Sequence, residues 1–303
     1  MKRLLITGGS GLVGSAIKST ERPEFDYIYF DSKSCDLTDY ASTLAAFQNA
    51  KPDIIVHLAA NVGGLFKNMS EPVEMFEDNI LMNTNVVKAA HNCGVQELIA
   101  CLSTCVFPDN IGVLDESCLH KGPPHHSNEG YAHAKRMLEV QCRLYTQQYK
   151  RRYFCIVPTN IYGPCDNFHL EDAHVIPALI HKCYLAKRDG TPFEIRGSGK
   201  PLRQFIFSRD LAKLIIDLIG TDFCDTIILS PTEEYSILEV ARAINHHFGN
   251  VLVVNGSYAD GQFKKTSDTT RLKNLLDFKP TSLEEGIAET INWFKINYGT
   301  CRK

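Results

Sequence analysis

Tyr131 and Lys135 stand four residues apart, so on a helix they share one face, a turn apart. A phenol with an ordinary pKa near ~10 is a poor acid-base group at neutral pH. A fixed ammonium beside it favours the phenolate and is expected to pull that pKa down towards the working range. Such a tyrosine can hand a proton to a carbonyl oxygen while hydride arrives at the carbon. Alone, the pair reads first as a surface tyrosine and a solvated lysine. Its meaning comes from what precedes it.

Upstream, an apolar run Glu97–Leu102 reads as a strand and is followed by Ser103-Thr104-Cys105. In a doubly wound sheet the C-terminal ends of strands open onto the ligand crevice, which puts Ser103 and Cys105 where chemistry occurs. The start of the chain supplies a second signal. Residues 3–6 form a short apolar run, and Thr7-Gly8-Gly9-Ser10-Gly11-Leu12-Val13-Gly14 follows it directly. Glycines 8, 11 and 14 suit a tight turn, a close approach of pyrophosphate, and close packing of a helix expected over Leu12–Ser19. The N-terminus of that helix offers free N–H groups and the positive end of its dipole.

The next strand, Tyr27–Phe30, ends at Asp31, seventeen residues after Gly14. An acid there holds the ribose hydroxyls of NAD and repels a 2′-phosphate; Ser32 and Lys33 are placed to hold that phosphate instead. Asp36 opens a helix reaching Asn49, either capping it or touching the adenine amine. A buried strand beginning at Ile54 ends in Ala59-Ala60, small residues that suit a chain passing close to a cofactor. Helices are expected over Pro72–Cys93, with Asn79, Asn83 and Asn85 among its polar positions, and from Tyr131 to Tyr149. A strand Tyr153–Val157 then runs into Pro158-Thr159-Asn160-Ile161-Tyr162-Gly163-Pro164. Strands and helices alternate throughout, which predicts a parallel sheet with helices on both faces.

From 163 the pattern changes. Loops lengthen, a helix is expected over His174–Lys187, and helices over Asp210–Ile219 (Asp210 as cap), Ser236–Phe248, Thr270–Leu276 and Leu283–Asn297. Short strands are expected at Phe193–Arg196, Gln204–Phe207 and Val251–Val254, with Thr226–Leu229 returning to the first sheet. The expected fold is α/β: a Rossmann-type doubly wound domain over 1–162 and a smaller C-terminal α/β substrate-binding domain over 163–303.

Composition narrows the partners. A net charge of −3 over 303 residues, without a basic cluster, gives no reason to expect nucleic acid. Eleven cysteines without CxxC spacing argue for thiols in a reducing compartment and against a zinc site, so no metal is expected. No apolar run approaches membrane-spanning length and no signal peptide is evident, so a cytoplasmic protein without a membrane partner is expected.

The spaced glycines, a serine ahead of Tyr-x-x-x-Lys and the C-terminal half together resemble the extended short-chain dehydrogenase/reductase family, over the whole chain. Five further runs are similar to the members that act on GDP-linked sugars: Gly63-Gly64-Leu65, Leu102 through Pro108, Pro158 through Pro164, His174-Val175-Ile176-Pro177-Ala178-Leu179, and Asp260-Gly261-Gln262-Phe263-Lys264-Lys265. The resemblance implies NADPH as cofactor, a GDP-sugar substrate and a homodimer. It implies that Ser103 hydrogen-bonds the sugar C4 oxygen, Tyr131 protonates it, and Lys135 holds the nicotinamide ribose. Cys105 and His174 resemble the acid-base pair that inverts C3 and C5, with His174 also beside the cofactor. Pro158, Thr159, Asn160 and Ile161 match positions lining the nicotinamide; Lys182, Arg203 and Asp260 match positions holding the GDP-sugar. Where the family has a tryptophan this chain has Arg196, whose guanidinium can stack on a base or ribose face.

The chemistry agrees with that resemblance. Protons on carbons flanking a 4-ketone are acidified through the enolate, so two acid-base groups can invert both centres, and an activated cysteine is a fitting base. Reduction at C4 then removes the ketone and fixes the configuration. Two alternatives stand beside this reading. One is a sibling NAD-dependent nucleotide-sugar 4-epimerase or 4,6-dehydratase, which Asp31 favours. The other is a non-catalytic dinucleotide sensor, which the intact Tyr131–Lys135 pair disfavours.

Overall fold

A computed structural model describes residues 1–109, 111–256 and 266–303. The alternating half of the chain gives β1 (Lys2–Thr7), α1 (Leu12–Ser19), β2 (Phe25–Phe30), α2 (Tyr40–Ala50), β3 (Ile54–His57), α3 (Leu65–Ser70), α4 (Pro72–Asn92) and β4 (Glu97–Cys101). A two-residue strand β5 (Val113–Leu114) precedes α5 (Glu129–Tyr149), β6 (Arg152–Pro158) and β7 (Asn160–Tyr162). The later half gives α6 (Val175–Asp189), β8 (Phe193–Ile195), β9 (Leu202–Arg203), β10 (Phe205–Phe207), α7 (Ser208–Leu218), β11 (Ile227–Leu229) and β12 (Tyr235–Ser236). It closes with α8 (Ile237–His246), β13 (Val253–Asn255), β14 (Thr266–Ser267), α9 (Thr270–Leu275) and α10 (Leu283–Asn297).

Six strands form one parallel sheet in the order β11-β6-β4-β3-β1-β2. Side chains alternate across such a sheet, and the two faces have separate cores. Leu5, Ile55, Leu98 and Tyr153 pack under α2, α4 and α5, against Phe47, Val86, Val87 and Leu138. Leu4, Ile6, Val56 and Ile156 face the other way, onto Ile17 of α1, Leu211 and Ile215 of α7, and Leu272 of α9. This is the doubly wound sheet that the alternation predicted, with its switch point between β1 and β3–β4.

A third core has no share in that sheet. Ile176 and Ile180 of α6, Ile244 of α8, Ile287 and Phe294 of α10, and Phe193 and Phe207 enclose it. Two parallel strand pairs, β7 with β10 and β8 with β13, lie at its edges. Burying a side chain such as Phe294, fully enclosed here, is worth ~2–3 kcal/mol.

Two expected helix caps move. Asp36 does not begin α2; it accepts from Thr38 in a local turn, and Asp39 caps the helix by accepting from the Ser42 N–H at 2.7 Å. Asp210 is not a cap either, because α7 already starts at Ser208. Its carboxylate instead accepts from Thr281 N–H and Oγ1 at 2.7 and 2.8 Å, tying α7 to the segment before α10. The return of residues 227–229 to the sheet is as expected, parallel to β6. Asp260 and the rest of 260–265 lie outside the described residues.

Candidate active site

The C-terminal ends of β1, β3, β4 and β6 border one cleft of about 950 Å³. At its floor the chain leaves β1 through Gly8, whose φ of +71° favours glycine. A Cβ on Gly14 would sit 2.6 Å from the Gly8 carbonyl oxygen and from the Gly9 Cα. The turn therefore closes onto α1 only with glycine at that position. Gly11 is the N-cap of α1 and has no side chain to cover the first N–H groups, which leaves them for an anionic ligand. Gly8, Ser10, Gly11, Leu12, Val13 and Gly14 all border the cleft. This bare, tightly folded cradle fits a dinucleotide pyrophosphate. Gly9 has another job: it packs against Tyr29 of β2, and its N–H donates to Phe30.

The far walls are held by polar groups from beneath. Thr7 Oγ1 accepts from the Leu58 and Ala59 N–H groups at 3.2 and 3.3 Å, so its own proton goes to His57 Nδ1 at 2.7 Å. His57 Nε2–H then donates to Asn83 Oδ1 at 3.0 Å. Burial and the charge on Lys135 lower the pKa of this imidazole to about 3, keeping it neutral. Asn79 exchanges hydrogen bonds with the Asn61 backbone, and Asn85 donates to the Leu37 and Thr38 carbonyls. Asn79, Asn83 and Asn85 of α4 thus pin three segments of cleft wall.

At the adenosine end, Asp31, Ser32 and Asp36 line the cleft, while Lys33 does not. Asp31 Oδ1 accepts from the N–H groups of Lys33 and Ser34, which hold its carboxyl below the usual carboxylate range. Ala59 and Ala60 border the middle, and Pro158, Thr159, Asn160 and Ile161 border the opposite wall.

Ser103, Cys105, Tyr131, Lys135 and His174 all reach this cleft. Ser103 Oγ accepts from the Cys105 N–H at 3.5 Å, so a short 3-10 turn over Thr104–Val106 presents both residues together. Lys135 is buried on α5, and its ammonium donates to the Cys101 carbonyl at 2.8 Å. It stands 5.7 Å from the Tyr131 ring centroid. The expected fall in the Tyr131 pKa is not found. Burial raises it well above the ordinary phenol value, reinforced by Cys105 and Cys101, and burial also lowers Lys135. A phenol raised in this way keeps its proton at neutral pH but gives it up less readily, so the shift runs opposite to the expected tuning. His174 is the N-cap of α6 and opens to the cleft, where surrounding protein lowers its imidazole pKa.

The expected substrate residues divide. Arg203 lines the cleft and Lys182 and Arg196 do not. Arg196 makes a two-pronged ion pair with Glu171, both N–O distances 2.8 Å, and lies 5.5 Å from the Phe66 ring centroid. Lys182 is depressed first by burial and then by Arg196. Residues that sequence reasoning passed over also reach the cleft, among them Asn61, Asn68, Asp166, Asp172 and Arg302. Asp166 lies two residues after the strand-end run that closes with Gly163-Pro164, and an acid at that position was the available signal.

The family described as the NAD dependent epimerase/dehydratase family matches residues 4–222. The chain is 46% identical to a GDP-L-fucose synthase of Dictyostelium discoideum, covering 100% of this chain and 98% of that one. It is 42% identical to a probable GDP-L-fucose synthase of Drosophila melanogaster, with both chains fully covered. The crystal structure of a GDP-L-fucose synthetase from Naegleria fowleri bound to NADP superposes with a TM-score of 0.94 at 42% identity, over 100% of this chain and 95% of that one.

Proposed function

The chain belongs to the NAD dependent epimerase/dehydratase family, and from that premise we propose that it is an NADPH-dependent enzyme converting GDP-4-keto-6-deoxy-D-mannose to GDP-L-fucose. The conversion has two steps, epimerisation at C3 and C5 and then reduction at C4. The observation that carries the reading is one cleft bordered by both sets of groups: Cys105 and His174 for the first step, Ser103, Tyr131 and Lys135 for the second.

In the first step Ser103 and Tyr131 donate hydrogen bonds to the C4 oxygen, so charge that develops there on enolisation is met by fixed donors. Cys105 and His174 come from different elements, one after β4 and one before α6. One removes the C–H proton and the other returns a proton to the opposite face. His174, with its pKa below the ordinary value, is mostly neutral and able to accept a proton near pH 7.

NADPH, when bound, supplies the hydride for C4. The glycine cradle and the N-terminus of α1 would hold its pyrophosphate, and Pro158–Ile161 with Lys135 would hold its nicotinamide end. Tyr131 gives its proton to the C4 oxygen in the second step. Burial makes an isolated phenolate costly there, and the buried Lys135 ammonium offsets that cost through charge.

Residues 1–162 carry the cofactor in this reading, and 163–303, with Arg203, carry the sugar nucleotide. Phe76, Leu81, Met137 and Leu144, exposed on α4 and α5, support a homodimer built on these helices. Cysteines free throughout the chain support a reducing, cytoplasmic setting. The test is proton NMR of GDP-4-keto-6-deoxy-D-mannose in heavy water with NADPH. The expected product is GDP-L-fucose carrying deuterium at C3 and C5. Cys105→Ala should nearly abolish that exchange. Full exchange in the variant removes Cys105 from the mechanism, and a product with unchanged C3 and C5 refutes the epimerase step.

A further inference from the structure

Six buried side-chain polar atoms among the described residues make no hydrogen bond. Two of them, Asn68 Oδ1 and Asp166 Oδ2, belong to residues that line the cleft. A buried polar atom without a partner is costly, and two in the lining of one binding cleft call for a ligand.

The rest of each side chain is already committed. Asn68 Nδ2 donates to the Gly63 and Gly64 carbonyls at 2.9 and 3.0 Å, leaving its oxygen as an acceptor. Asp166 Oδ1 accepts from the Asn167 N–H at 2.7 Å. The backbone is held on both sides of the site. Gly64 N–H donates to the Asp172 carbonyl at 3.1 Å, joining the start of α3 to the 166–174 loop. Cys165, just before Asp166, has a φ of +67°, a left-handed conformation strained for a side-chain residue. Arg302 holds its carbonyl at 2.8 Å. Such a turn persists only where the surroundings enforce it, and it sets the direction in which Asp166 leaves the chain.

Asp166 is 5% exposed, and burial raises its pKa to about 7, against a smaller lowering by Asn167 N–H and Arg302. Below that pH the carboxyl keeps its proton, and a protonated carboxylic acid is a hydrogen-bond donor. An acceptor and a donor, both buried and without a partner, then belong to residues lining the same cleft, and such a pair can recognise a hydroxyl.

We propose that Asn68 Oδ1 and Asp166 Oδ2 form a hydroxyl-reading subsite for the hexose of the sugar nucleotide, Asn68 accepting from a sugar hydroxyl and Asp166 donating to a sugar oxygen. The inference rests on the sugar-nucleotide reading above and adds two substrate contacts to it.

Calorimetry on the NADP-loaded enzyme separates the two, with GDP and GDP-mannose as probes. Wild-type protein should take both, GDP-mannose more tightly. Asp166→Ala should weaken GDP-mannose about tenfold, the scale of one well-placed hydrogen bond, while GDP and NADP affinities stay unchanged. Asp166→Asn keeps an oxygen for Asn167 and a donor for the cleft, and should stay within about threefold of wild type. Asn68→Ala should repeat the selective loss. Wild-type affinity for GDP-mannose in Asp166→Ala and Asn68→Ala overturns the subsite. So does an equal loss of GDP and GDP-mannose, and a full loss in Asp166→Asn overturns the donor assignment. A wild-type protein that binds neither nucleotide refutes the sugar-nucleotide reading, and the subsite with it.

Discussion

His57 should make the fold acid-sensitive by an amount the structure allows to be worked out. Its imidazole is fully buried between Thr7 and Asn83, with its pKa lowered to about 3. In the unfolded chain it titrates near its ordinary ~6.5. Below that pH the unfolded chain therefore takes up a proton that the folded chain refuses until about pH 3. The unfolded state binds more protons over this window, so stability falls as pH falls. At pH 5 the gap amounts to ~1.5 pH units at ~1.4 kcal/mol each, or ~2 kcal/mol. His57→Gln removes the titration and should cost ~1–3 kcal/mol at pH 7.5 through lost hydrogen bonds. Between pH 7.5 and 5, however, wild type should lose ~2 kcal/mol more than the variant. Urea unfolding followed by far-ultraviolet circular dichroism at both pH values measures this. Shifts at His174, His181 and Asp166 are common to both proteins and cancel in the comparison. Parallel pH dependences would refute the neutral, buried imidazole and the wall-pinning network built on it.

Tyr131→Phe should lower NADPH oxidation by ~10²–10⁴-fold with NADPH affinity unchanged by fluorescence titration; wild-type turnover would remove Tyr131 as proton donor. Gly14→Ala forces a methyl to within 2.6 Å of the Gly8 carbonyl, so NADPH affinity should fall at least tenfold, and retained affinity in the same titration would show that the cradle can open. Asp31→Ser takes an ionised carboxylate from the adenosine end and should widen the preference for NADPH over NADH in kcat/KM; a narrowed ratio would show that residue 31 does not face the ribose. Asp166→Asn should stabilise the unliganded protein. The raised pKa means that the folded chain holds a proton between pH ~3.8 and about 7 that the unfolded chain releases, which costs stability as pH rises through that window. The gain at pH 8 should reach up to ~4 kcal/mol by urea unfolding, and an unchanged or lower midpoint would contradict the buried neutral acid.

Local rules made much of the fold legible. The bounds of α1 follow from the glycines before it and the amphipathic run after them. Those of α10 follow from Ser282 and Glu285, which form the reciprocal cap that the S-x-x-E pattern specifies. Strand ends and the Tyr131–Lys135 spacing point to Ser103, Cys105, Tyr131 and Lys135, which line one cleft, and only the family resemblance points to His174 beside them. What escaped depends on tertiary context. Two acids near helix starts, Asp36 and Asp210, fit a capping rule in sequence, but the helices begin elsewhere and the carboxylates find other partners. The Tyr131 shift reverses because four-residue spacing says how close an ammonium lies and nothing about how much water is removed. Arg196 pairs with Glu171 rather than line the cleft, and Lys182, also outside the lining, lies near enough to feel the charges of both. Asn68 and Asp166 stand out only when every hydrogen bond around them is counted.

The way the chain re-enters its first sheet bears on how the protein is made. β11 pairs with β6 from residues 227–229, and α7 and α9 cover the same apolar face as α1. A nascent chain that has just left the ribosome through β6 carries five of its six strands but lacks most of the cover for one face. Leu4, Ile6, Val56 and Ile156 then stay open to other chains until residues beyond 272 emerge. Such an intermediate is prone to aggregation and is a natural client for chaperones that hold exposed apolar surface. Translation pauses or truncations between 163 and 272 should therefore yield insoluble product, whereas a chain that includes α7 and α9 covers the second face as well.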